Sequence, residues 1–136
     1  MAGFEFAYLE NSSDPSTIQI ATFKDTETLT KGDMVSIESG LADLGATNDE
    51  TFAGVALETV SGTTAVSKIT YISNDDAVYA VDDANARLNG ATLDLSGATG
   101  AQTVTTSSNA DFMVVADSSA TEPTLVKINH GYHYKN

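Results

Sequence analysis

Short runs of β-branched and apolar residues, broken roughly every ten positions by Gly, Asn, Asp and Ser, set the tightest limit on what this chain can fold into. Thr alone supplies 18 of the 136 residues, with 10 Val and 6 Ile. Two heavy atoms on Cβ stiffen these side chains and suit them to a pleated surface. The rhythm predicts an all-β domain, a small β-barrel or β-sandwich, rather than βαβ units. No heptad pattern and no repeat of fixed period appears.

The expected strands follow from alternation. Residues 17–23 place Ile18 and Ile20 on one face. Lys31-Gly32-Asp33 is a turn signal, followed by a strand over 34–38 with Val35 and Ile37 in phase. Residues 41–51 read as a loop. Residues 52–59 read as a strand in which Gly54 predicts a bulge or a close backbone approach. Further strands are expected over 66–72, 77–81, 91–95, 102–106, 112–116 and 125–129. In 91–95 strict alternation puts Leu93 and Leu95 inward and Thr92 and Asp94 outward. Residues 82–88 are the one place for a short helical turn, with Asp82 as its cap.

Three regions are expected: residues 1–16, a β domain over 17–129 and a tail over 130–136. The opening segment pairs Phe4, Phe6 and Tyr8 with the breaker cluster Asn11-Ser12-Ser13-Asp14-Pro15-Ser16. It reads either as an extended N-terminal arm followed by a turn or as a first strand packed on the body.

The apolar content is thin. Leu, Ile, Val and Phe total 30 of 136 residues, about 22 %, just above the level that signals disorder. A core this small makes association with a partner a natural source of stability. Charge narrows the partners. Six basic residues face 19 acidic ones, for a net charge of −13. No Lys or Arg cluster reverses that sign locally, so nucleic acid and anionic membranes are disfavoured. No apolar run approaches the ~20 residues of a membrane span. The first residues carry neither the basic nor the apolar region of a signal peptide. With no Cys, disulfides, thiol nucleophiles and Cys-type zinc sites are excluded.

Candidate chemistry is sparse. His130 and His133 point to opposite faces of an extended chain and do not share a metal easily. The doublets Asp49-Glu50, Asp75-Asp76 and Asp82-Asp83 lack the alternating ligand spacing of a calcium loop and read as solvated turn carboxylates. No Gly-x-Ser-x-Gly elbow, phosphate-binding loop or dinucleotide fingerprint is present. The expectation is a protein without catalytic residues, metal or cofactor.

Leu29-Thr30-Lys31-Gly32-Asp33-Met34-Val35-Ser36 resembles the turn, Gly-Asp and apolar-strand opening of tailed-bacteriophage head decoration (cement) proteins. Phe52-Ala53-Gly54-Val55-Ala56-Leu57-Glu58 is similar to the Gly-Val-Ala strand that follows it there. The stretch from Asn89 to Gly97 and on through Asp111-Phe112-Met113-Val114-Val115 resembles capsid-associated proteins of marine and cyanobacterial phages. The resemblance implies a structural protein on the outer surface of the expanded capsid, a homotrimer whose other partner is the major capsid protein. It carries over no catalytic residue. In that role the opening segment would add a strand to a coat-protein sheet edge, with Phe4, Phe6 and Tyr8 filling pockets. The tail, with Tyr132, His133 and Tyr134, is a second candidate capsid-binding strip.

Two other classes compete with that expectation. One is a carbohydrate- or receptor-binding β module of a fibre or adhesin. The other is a small β-fold hydrolase, which would need a cleft carboxylate with a strongly shifted pKa.

Overall fold

β-branched runs become strands where both of their faces find cover, and here two sheets supply it. A computed structural model describes residues 3–9, 18–22, 28–38, 40–46, 52–61, 68–72, 77–106 and 110–129. Their strands are β1 (Phe4–Leu9), β2 (Ile18–Thr22), β3 (Thr28–Leu29), β4 (Met34–Glu38), β5 (Leu41–Leu44), β6 (Phe52–Ala56), β7 (Val60–Ser61), β8 (Lys68–Ile72), β9 (Ala77–Val81), β10 (Thr92–Ser96), β11 (Thr103–Thr106), β12 (Phe112–Val114) and β13 (Thr124–Ile128). A six-stranded sheet has the order β1-β9-β13-β12-β10-β11, a five-stranded sheet β2-β8-β6-β4-β5, and β3 pairs with β7. Pairing between these strands is antiparallel. The all-β expectation holds, with a half-barrel, sandwich-like arrangement and no helix among the described residues.

The five-stranded sheet is buried on both faces at its centre, along β6 and the first half of β4. Met34, Phe52, Val55 and Ile72 face the six-stranded sheet, where they join Tyr79, Leu93, Leu95, Phe112, Val114, Val126 and Ile128 in the main core. Val35, Ala42, Ala53, Ala56, Ile69 and Tyr71 face the other way and pack with Leu29 of β3. The edges β2 and β5 approach each other, so this sheet curls around its own second core. All five residues of β6 are buried. That is how a chain with few large apolar residues covers so much backbone: one sheet contributes to two cores.

The bulge expected at Gly54 is present. β4 pairs Val35 with Gly54 but Ser36 with Phe52, leaving Ala53 as the extra residue. The bulge shifts the phase, so Phe52 and Val55 face one core and Ala53 and Ala56 the other.

Phe112 anchors the main core. Its ring lies 5.1 Å from that of Phe4 and 5.7 Å from that of Phe52. β1 and β12 are three places apart in their sheet, about 14 Å if it were flat. The rings meet because the sheet is curled.

Polar side chains lock the two sheets together. Asp33 is fully buried. Its Oδ2 accepts the Thr30 N–H at 2.8 Å and the Thr99 hydroxyl at 2.5 Å, and its Oδ1 accepts the Gly100 N–H at 2.9 Å. Beside it, buried Gln102 accepts the Met34 N–H at 2.7 Å and donates to Gly45 O at 3.0 Å. The loop between β10 and β11 is thereby clasped to the two ends of the β4–β5 hairpin.

Four sequence expectations need correction. Of the two readings of residues 1–16, the described part, 4–9, is a paired strand: Phe4 stands opposite Val81 and Leu9 opposite Ala77. Residues 10–16 lie outside the described residues. The loop expected over 41–51 begins with β5, which pairs antiparallel with β4 from Leu41 opposite Glu38, with Gly40 at φ +80° just before it. The helical turn over 82–88 is absent. There the Arg87 N–H and C=O bond to Ser118, and Asp83 takes up the Asn85 N–H and the Arg87 guanidinium. Asp94, expected outward, is buried, although Thr92 on the same face of β10 is exposed as expected.

Replacing Asp33 with Ala leaves three donors without their acceptor. Stability should fall by roughly 3 kcal/mol or more, read as a lower urea midpoint with unchanged m-value. Asp33→Asn should cost less, because one carbonyl oxygen remains, but its NH₂ then faces an N–H or O–H donor.

Candidate interaction surface

Strand β1 closes the six-stranded sheet on one side, with β9 as its only partner strand among the described residues. Its start is pinned. The Phe4 N–H donates to Gly32 O at 2.7 Å, and Gly3 sits at φ +78° against the same residue. A Cβ on Gly3 would lie 2.8 Å from Gly32 O, so glycine is required for this approach. Beyond Phe4 the strand runs along the surface: Glu5, Phe6, Ala7 and Tyr8 are all exposed.

The structure therefore separates the aromatic residues that the sequence grouped. Phe4 is 3 % exposed and belongs to the main core, so it is not free to fill a partner's pocket. Phe6 and Tyr8 are 38 % and 43 % exposed. Strict alternation would put all three on one face. Phe4 and Phe6 keep that phase, Phe4 in the main core and Phe6 further along the strand at the surface, and the register shift between Phe6 and Tyr8 changes the phase of Tyr8 alone. Tyr132, His133 and Tyr134 lie outside the described residues. Large apolar side chains also emerge at Ile20 on β2, Leu41 on β5 and Leu88 in the loop before β10.

An exposed edge invites strand addition, and proteins commonly guard such edges with Lys, Pro or a bulge. β1 has the bulge but carries two aromatic rings and one carboxylate instead of a Lys. A partner strand laid beside it would gain main-chain hydrogen bonds and two aromatic contacts.

A second concavity, of about 380 Å³, lies between the segments 82–84 and 120–123. Its carboxylates are engaged in structure. Asp83 binds Arg87 at 2.6 Å through Nε and 3.3 Å through Nη2. Burial pushes the Asp83 carboxyl up, but the Arg87 guanidinium and the Asn85 amide more than offset this and hold it below its ordinary value. The Ser119 N–H holds exposed Glu122 low in the same way. A general acid needs a raised pKa, and these two groups are shifted in the opposite direction. Elsewhere Glu58 is lowered by the Thr70 hydroxyl and N–H, while burial raises Tyr71. Among the described residues no group of three His, Asp or Glu converges on a possible metal position, and no helix is long and apolar enough to cross a membrane.

Sequence reading missed both the Asp33–Gln102 clasp and the Asp83–Arg87 pair. Asp83 and Arg87 stand at i, i+4 inside the segment 82–88, where the sequence suggests a helical turn capped by Asp82. Asp33 and Gly100 stand 67 positions apart, and no local signal joins them.

Because Asp83 is depressed, its contribution to stability is present above the ordinary value of 3.8 and is lost as pH falls through its folded value. Arg87→Met should lower the thermal midpoint at pH 7, and the gap to the parent protein should narrow as pH drops below about 4. A gap that stays constant into acid would contradict this pairing. In comparisons with known proteins, no family model matches the chain and no curated protein gives a significant match.

Proposed function

We propose that this chain is a non-catalytic structural protein that decorates the outer surface of an expanded bacteriophage capsid, as a homotrimer bound to the major capsid protein. The observation that carries the reading is the edge of β1, which has no second partner strand among the described residues and presents Phe6 and Tyr8 at the surface of an acidic molecule. Support also comes from the segments that resemble decoration proteins. They fall on the Gly32–Asp33 turn with β4, on β6, on the turn before β10 and on β12. In these positions their residues serve packing: Asp33 clasps the sheets and Phe112 centres the core.

The physical logic is that of a wedge. Strand addition at β1 supplies directional hydrogen bonds, and the two rings supply apolar contact at roughly 25 cal/mol per Å² buried. A net charge of −13 favours a coat surface bearing Lys and Arg and disfavours packaged nucleic acid. Trimer contacts would add apolar burial that the thin monomer core lacks.

The test is cosedimentation with expanded heads that lack the protein. Removing residues 1–16 is unsuitable, since it takes Phe4 from the core. The double substitution Phe6→Ser/Tyr8→Ser leaves Phe4 in place. It should weaken head binding by about tenfold or more while leaving the circular dichroism spectrum unchanged. Undiminished binding by the double variant would remove β1 from the mechanism. Failure of the parent protein to bind any expanded head, together with binding on a glycan array, would favour the fibre or adhesin module instead.

A further inference from the structure

The Asn89-Gly90 dipeptide occupies the centre of a β-turn closed by the Ala91 N–H to Leu88 O at 3.0 Å, with Gly90 at φ +91°. Both residues are exposed. Asn followed by Gly is chemically reactive, because the Gly backbone nitrogen meets little steric hindrance in reaching the Asn side-chain carbonyl carbon. Here that nitrogen is occupied. The Gly90 N–H donates to Val114 O at 2.8 Å, and the Val114 N–H returns a bond to Ala91 O at 2.8 Å. The Asn89 N–H is held by Asp117 Oδ1 at 2.8 Å. Water reaches the turn, but the proton that the nucleophile must lose is engaged by Val114 O.

We infer that Asn89 is a self-modification site gated by the fold, protected while the turn is docked on residues 114–117 and converted to aspartate or isoaspartate once it is released. In the reaction the Gly90 nitrogen bonds to Asn89 Cγ as the Cγ–Nδ2 bond breaks. The proton lost from Gly90 leaves with Nδ2 as ammonia. One water then opens the cyclic imide at either carbonyl, and no oxidant or reductant is needed. The product cannot return to the docked state unchanged. A new carboxylate at position 89 faces Asp117, and an isoaspartyl linkage adds one backbone carbon inside the turn. Either change weakens the grip of the loop 82–91 on the chain entering β13, so a transient opening becomes permanent. This inference is independent of the capsid reading.

The experiment incubates the full chain at mildly alkaline pH. It follows residue 89 by peptide mass mapping and by enzymatic methylation of isoaspartate. Folded protein should convert at least about tenfold more slowly than the same chain in urea, since reaction waits on local opening. Asp117→Ala, which removes a charge-assisted bond, should speed conversion in the folded protein by roughly tenfold. Equal rates in folded and urea-treated chains would overturn the inference, as would an Asp117→Ala variant that stays folded and reacts at the parent rate. Hydrogen exchange at the Gly90 amide gives a reading without any variant. Protection is expected, and exchange at the rate of an unstructured peptide would refute the gate.

Discussion

A buried carboxylate that accepts bonds from two distant stretches of chain organises this molecule. Asp33 sits where the turn leading into β4 of the five-stranded sheet meets the β10–β11 loop of the six-stranded one, and its oxygens take donors from both. Gln102 repeats the arrangement beside it, with its amide bonded to Met34 and Gly45. These bonds are directional, unlike apolar contact. They fix which residues of one sheet stand against which residues of the other, and a buried donor left without its acceptor would be costly. The apolar rings of Phe4, Phe52 and Phe112 then fill a space whose shape the clasp has set.

The second constraint is scarcity. With few large apolar side chains, the chain places its central sheet between two cores. The bulge at Ala53 makes this work, because it turns Phe52 and Val55 to the same side. Small residues suffice on the other side, where Ala42, Ala53 and Ala56 pack closely beneath Ile69 and Tyr71. A high Ala content is therefore part of the packing rather than a dilution of it.

The same economy shapes the functional surface. Two carboxylates of the concavity, Asp83 and Glu122, are held in charged form by structural partners, which suits loop fixation more than proton transfer. Among the described residues, the large apolar side chains that face outward lie on strands at sheet edges and on one loop tip: Phe6 and Tyr8 on β1, Ile20 on β2, Leu41 on β5 and Leu88 before β10. A molecule equipped in this way is suited to contact with a large neighbour.

Periodicity and punctuation by themselves determined the all-β class, the position of most strands, the turns at Gly32 and Gly90 and the irregularity at Gly54. Each rests on interactions within a few residues: alternation of side chains, β-branched stiffness and the freedom of glycine at positive φ. The tertiary structure alone decided which aromatic of the opening segment is core and which is surface. Phe4, Phe6 and Tyr8 look equivalent in sequence; the main core and the Gly32 contact take in Phe4 at the start of the strand, and the register shift after Phe6 changes the phase of Tyr8. It alone decided that Asp94 is covered and that Asp33 is a clasp rather than a solvated turn carboxylate. Those outcomes depend on contacts across some seventy positions of chain, whose partners are chosen by the packing of whole sheets and leave no trace in local pattern.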